Sequence, residues 1–193
     1  MHIDEGAPGE AEDSAAKVGP DETAAAHDET GAAPDGALVK SRLAESRQCL
    51  TKALDIYTAA FGPAYPENAC VLSNLGILED TEGNHKKARE HYRKALEIQS
   101  AVAGIDHPHC ADILHNLGVS YIDEALESFD SPEAFADAPM EQKRDSLPLL
   151  NKALACERKA LTILTAVFGE SHYSVEMLGN EIAWIENEGM RAD

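Results

Sequence analysis

From Ala37 onward, large apolar residues recur every three or four positions, the spacing that puts them on one face of an α-helix. Ala88, Tyr92 and Ala95 form one such stripe, at i, i+4 and i+7, within a run that is otherwise mostly Lys, Arg, Glu and His. Gly and Pro fall mainly between the stripes, where turns belong. The pattern predicts helices over 37–60, 66–81, 84–103, 107–128, 146–167 and 171–188.

The stripes also repeat as a unit. Residues 52–76, KALDIYTAAFGPAYPENACVLSNLG, align without a gap to residues 94–118, KALEIQSAVAGIDHPHCADILHNLG, with 12 of 25 positions identical at an offset of 42. A third copy, KALTILTAVFGESHYSVEMLGNEIA, begins at Lys159, displaced by 65 residues, so 23 extra residues precede it. In each copy a helix ends near Gly62, Gly104 or Gly169, where a left-handed conformation carries no steric penalty. Pro66, Pro108 or His172-Tyr173 then opens the next helix, and small residues (Gly76, Gly118, Ala183) mark its closest approach to a neighbour. Six helices make three antiparallel hairpins of about 42 residues each, and stacking buries the apolar face that one hairpin leaves open. The inserted stretch around 129–141, with Ser131-Pro132 and Ala138-Pro139, is expected to be irregular and to bulge outward without breaking the stack.

The segments KAREHYRKALEI (87–98), GIDHP (104–108) and LHNLGVSY (114–121) resemble tetratricopeptide repeats, and more narrowly the 42-residue kind of kinesin light chains and nephrocystin-3-like proteins. The resemblance spans roughly 40–188. It implies an all-α, right-handed superhelical solenoid with a concave face lined by the first helix of each repeat. It also implies a role for Asn74 and Asn116, which match the Asn that hydrogen-bonds a bound peptide's backbone in kinesin light chains; the third copy departs, with Glu181 there. The basic and amide groups that clamp a chaperone's C-terminal carboxylates are not matched. Ser73 and Ile77 stand there in one copy, His115 and Val119 in the next.

Charge narrows the partner. The chain has 35 acidic and 16 basic residues, a net charge of -19, which disfavours nucleic acid and anionic membranes and favours a basic protein partner. Residues 1–36 hold ten acidic residues and one basic, Lys17, and almost no large apolar side chain. They are expected to form a disordered acidic tail ahead of a solenoid domain over 37–193. No apolar run is long enough to span a membrane, and the start lacks the basic and apolar regions of a secretory signal. Cys49, Cys70, Cys110 and Cys156 are irregularly spaced, without a CxxC, and read as reduced thiols of a cytoplasmic protein. A cytoskeletal or ciliary setting follows by family analogy alone.

Chemistry is hard to place on this chain. Nucleotide-, zinc-protease- and hydrolase-type motifs are absent, so no enzyme activity and no cofactor are expected. His107, His109, Cys110 and His115 form the densest group of zinc-type ligands, but His107 is the repeat's turn residue and Cys110 and His115 are five apart, off one helical face. Cys49, His91 and Cys156 occupy one repeat position on successive helices, about 8–10 Å apart in a stack, too far for a shared metal. No metal site is therefore assigned. Trp184 has two readings, a cap on the last repeat, which is favoured, and a binding anchor.

The repeat alignment places Cys70, Ser73, Asn74, Ile77, Asp80 and Thr81 on the inner face of one copy, Asp112, His115, Asn116, Val119 and Asp123 on the next, and Met177, Glu181 and Trp184 on the third. None of these is Lys or Arg, and four are carboxylates, which focus negative potential in a concave surface. The leading expectation is an adaptor or scaffold that takes a Lys/Arg-rich extended or helical segment in this groove. The alternative is a regulatory domain autoinhibited by its acidic N-terminal tail.

Overall fold

The computed structural model describes residues 36–189, so the expected acidic tail and the autoinhibitory reading built on it lie outside the described residues. The chain folds as an all-α solenoid, and no strand occurs among those residues. Six long helices carry it: α1 (Gly36–Phe61), α2 (Pro66–Thr81), α3 (His85–Ala103), α4 (Pro108–Leu126), α7 (Leu147–Phe168) and α8 (Tyr173–Trp184). Two short helices, α5 (Pro132–Ala136) and α6 (Met140–Lys143), stand between α4 and α7, and a π-helical turn (Ile185–Gly189) extends α8. The most extensive pairings are α2 with α3 and α4 with α7. The three expected hairpins, α1–α2, α3–α4 and α7–α8, are all in contact, but the tightest pairing is shifted by one helix, so that α2–α3 and α4–α7 form the centre with α1 and α8 on either side, and α1 buries none of its residues.

The three long turns share one construction. The N–H groups of Gly62, Gly104 and Gly169 cap the preceding helix by bonding to the carbonyls of Thr58, Ser100 and Thr165. The same glycines' carbonyls accept from the N–H groups of Tyr65, His107 and His172, each at 3.3 Å. All three have positive φ, 91°, 86° and 82°. At Gly104 and Gly169 ψ is 156° and 165°, so these two adopt not the expected left-handed helical conformation but the extended positive-φ region open essentially to glycine alone. His107 and His172 then cap α4 and α8, their Nδ1 atoms accepting from the N–H groups of His109 and Ser174.

The glycine approaches are real in two copies and absent in the third. A Cβ on Gly76 would stand 2.4 Å from the Tyr92 ring, and one on Gly118 would stand 2.0 Å from a carboxylate oxygen of Glu157. Ala183, expected to be equivalent, is exposed and meets no such neighbour among the described residues.

The insertion also differs from expectation. It keeps the stack intact, but it does not bulge outward as an irregular loop. Phe135 of α5 is wholly buried and packs edge-on against Phe129, with ring centroids 4.8 Å apart, and α5 lies against the π-helical turn after α8. Ser131 caps α5 through the Ala134 N–H, Lys143 Nζ donates to the Ala136 carbonyl at 2.6 Å, and Ser146 Oγ donates to the Ala125 carbonyl at 2.6 Å. One phenylalanine, missed among small and polar neighbours, converts the segment into part of the core.

Candidate functional site

α2 and α4 lie side by side. Their inward residues line two hollows, one of about 250 Å³ that includes Cys70, Ser73, Asn74, His109 and Asp112, the other of about 320 Å³ that includes Ile77, Asp80, Thr81, Asn116, Val119 and Asp123. The repeat alignment alone had placed nearly all of these on one face. Asn116 Nδ2 donates to Ser73 Oγ at 3.3 Å, tying α4 to α2 across the hollows. Asn74 is exposed at the rim. Helix α8 continues the face through Glu181, whose Oε2 is 3.7 Å from His115 Nδ1. Met177 is half-exposed, whereas Trp184 is partly buried against the main core, a position that fits its reading as a cap.

Asp80 has a different job from the one its place in the groove suggests. Its Oδ2 accepts from the Tyr92 hydroxyl at 2.9 Å. Its Oδ1 accepts from Ser120 Oγ at 2.7 Å and is paired with His85 Nδ1 at 2.9 Å. One carboxylate thus joins α2, two turns of the first half of α3 and α4, and both its oxygens are occupied. Asp112 and Asp123 are exposed and remain the acidic groups that α4 turns to the groove. Asp123 is open to solvent on one side, but partial desolvation where it lines the hollow raises its carboxyl above the ordinary range; nearby His85 opposes this and the Asp80 charge adds to it.

The third step of the face holds a group that the sequence reading missed. Glu157 of α7 is fully buried, with its Oε2 at 3.0 Å from His115 Nδ1. Its Oε1 has no hydrogen-bond partner among the described residues. Hydrogen bonding to Glu157 raises the His115 pKa above its usual value despite the opposing effect of burial. Burial, and then the Glu157 charge, raise the carboxyl of Glu181. The signal was present in the repeat: Glu157 falls where the previous copy has Tyr92, whose ring fills the space against Gly76 as the Glu157 carboxylate fills it against Gly118.

The other histidine and cysteine groups weighed from the sequence have local roles. His107 caps its helix, with its ring edge-on to His109. Cys110 is buried with its Sγ 3.4 Å from the Gly104 carbonyl, and burial raises its thiol pKa, as it does that of Cys156. Both are thereby made poorer nucleophiles.

Charge is sorted by helix. Every Lys and Arg of the long helices lies on α1, α3 or α7, while α2, α4 and α8 carry acidic residues and no Lys or Arg. Some of the bases are spent between helices. Arg47 pairs with Glu79 and Glu82. Arg89 pairs with Glu124 and lies over the Tyr121 ring, 4.5 Å from its centroid. Among the described residues, no helix is long and apolar enough to cross a membrane.

Residues 38–101 and 81–129 match the family model of the tetratricopeptide repeat. A comparison with curated proteins finds no match.

Proposed function

The chain carries tetratricopeptide repeats, modules of protein–protein interaction, and from that premise we propose that it is an adaptor whose α2–α4–α8 face binds a Lys/Arg-rich segment of a partner protein. The observation that carries this reading is the sorting of charge, with acidic residues and no Lys or Arg on the three helices of that face. A cationic segment gains there from Asp112, Asp123 and Glu181 together, and a focused negative potential speeds its approach. Asn74, and the part of the Asn116 amide not bonded to Ser73, would donate to and accept from a peptide backbone, the role that the resemblance to kinesin light chain repeats suggests. Ile77, 45% exposed, and Val119 offer apolar contact between the polar groups.

A basic ligand also favours the charged forms of Asp123 and Glu181, whose carboxyl pKa values partial desolvation has raised. Binding therefore releases protons and strengthens as pH rises through the raised carboxyl range.

The test is the affinity of a labelled Lys/Arg-rich peptide and of its Glu-substituted counterpart, measured in chelator-treated buffer. The basic peptide should bind and the acidic one should not. Changing Asp112→Asn and Asp123→Asn together should weaken binding about tenfold at low salt, with the difference shrinking as salt screens exposed charges. Equal binding of both peptides, or no effect of the double change, refutes the proposed ligand class.

A further inference from the structure

His115, Glu157 and Glu181 come from three helices, α4, α7 and α8, and offer one imidazole nitrogen and two carboxylate oxygens. His115 Nδ1 stands 3.0 Å from Glu157 Oε2 and 3.7 Å from Glu181 Oε2. The three ligand atoms all lie within 4.8 Å of one another. Bonds of about 2.0–2.2 Å at tetrahedral angles separate a zinc ion's ligands by roughly 3.3 Å. The observed spacings bracket that value, so small side-chain rotations bring all three atoms to one ion.

Glu157 supplies the second, independent observation. It is fully buried, and among the described residues only its Oε2 has a hydrogen-bond partner, His115. A buried carboxylate needs either a full set of donors or a compensating positive charge. Among the described residues, no donor reaches Oε1. Gly118, the backbone against which Oε1 rests, has no side chain to donate, and Glu181 adds a second acid to the same space. In the preceding copy the same position is Tyr92, which pairs with Asp80 through a neutral hydroxyl. The last copy has replaced a neutral donor by a buried acid and set a histidine and another acid beside it.

We propose that His115, Glu157 and Glu181 form a binding site for a zinc-type divalent cation at the α8 end of the groove. Two carboxylates balance the ion's charge, and the imidazole selects against calcium and magnesium, which prefer all-oxygen sites. Glu157 anchors the site from inside, while His115 and Glu181 are partly open to solvent, leaving room for water as a fourth ligand. Because the ligands join α4, α7 and α8, an ion there pins the terminal helix to the α4–α7 pair. The site does not depend on the groove binding a peptide.

The experiment uses the full chain after chelator treatment, titrated with zinc chloride against a chromogenic competitor and followed in parallel by thermal unfolding. The parent should take up one equivalent with high affinity and unfold at a higher temperature when loaded. Glu181→Gln, a change at the surface, should weaken that uptake at least tenfold while circular dichroism stays unchanged. The isosteric Glu157→Gln should do the same. Cobalt in place of zinc should give a visible spectrum without a sulfur charge-transfer band, and calcium or magnesium should not compete. Uptake that both variants leave intact overturns the proposal. So does a sulfur band that assigns the ion to the cysteines, or a parent chain with no high-affinity equivalent.

Discussion

At the scale of single residues, the groove divides between side chains that build it and side chains free to meet a ligand. Asp80 belongs to the first group. Removing its carboxylate by Asp80→Ala strands the Tyr92 hydroxyl and the His85 ring between helices and leaves Ser120 Oγ only its long bond to the His85 carbonyl, at 3.5 Å; each stranded buried group costs about 1–3 kcal/mol. We expect the change to lower unfolding free energy by about 3 kcal/mol in urea titration; a loss under about 0.5 kcal/mol would show that the three bonds are incidental. His115 gives a pH signature. Its pKa is raised in the folded chain, chiefly by Glu157, so its stabilising contribution is fully present below about pH 6.5, the ordinary histidine value. That contribution is lost as pH rises through the raised value. In chelator-treated protein, stability should fall over that window in the parent and fall less in Glu157→Gln. Parallel pH profiles for the two proteins would remove His115–Glu157 as the source.

At the scale of helices, the two kinds of glycine make opposite predictions. Gly76 faces the buried Tyr92 ring at 2.4 Å from where a Cβ would stand. Gly76→Ala should therefore destabilise by about 2 kcal/mol, because the overpacking exceeds the gain in helix propensity. Gly179 of α8 meets nothing within 4 Å, so Gly179→Ala should stabilise by about 0.5–1 kcal/mol. Thermal unfolding of the two variants beside the parent decides both. Helix ends were the most legible part of the sequence because the Gly–Pro turn chemistry recurs at a fixed offset. Position 66, expected to open a helix, is the first residue of α2, and Thr81, expected to close it, is the last. The insertion was not legible. Phe135 sits among Ala, Asp, Glu and Pro, and nothing local says that a single aromatic will find a pocket made by Phe129 and the turn after α8. Glu157 was hidden differently: it reads as a surface acid on a helix with Arg158 and Lys159 beside it, and only its register with Tyr92 shows that it points inward.

At the scale of the whole molecule, the account rests on the sorting of charge between two sets of helices. Composition showed the net charge of -19 but not its placement. The repeat alignment assigned acids to one face, and the structure adds that, among the six long helices, Lys and Arg lie only on α1, α3 and α7, where Arg47 and Arg89 join helices through Glu79, Glu82 and Glu124. A ligand drawn by the acidic face should leave the basic helices undisturbed. The most direct measurement is an amide chemical-shift map of the chain, with and without a Lys/Arg-rich peptide, at low and at high salt. The account predicts perturbations confined to α2, α4 and α8, centred near Asn74, Asp112, Asn116 and Asp123, and diminishing as salt rises. Perturbations centred on α3 and α7, or a map indifferent to salt, would contradict it.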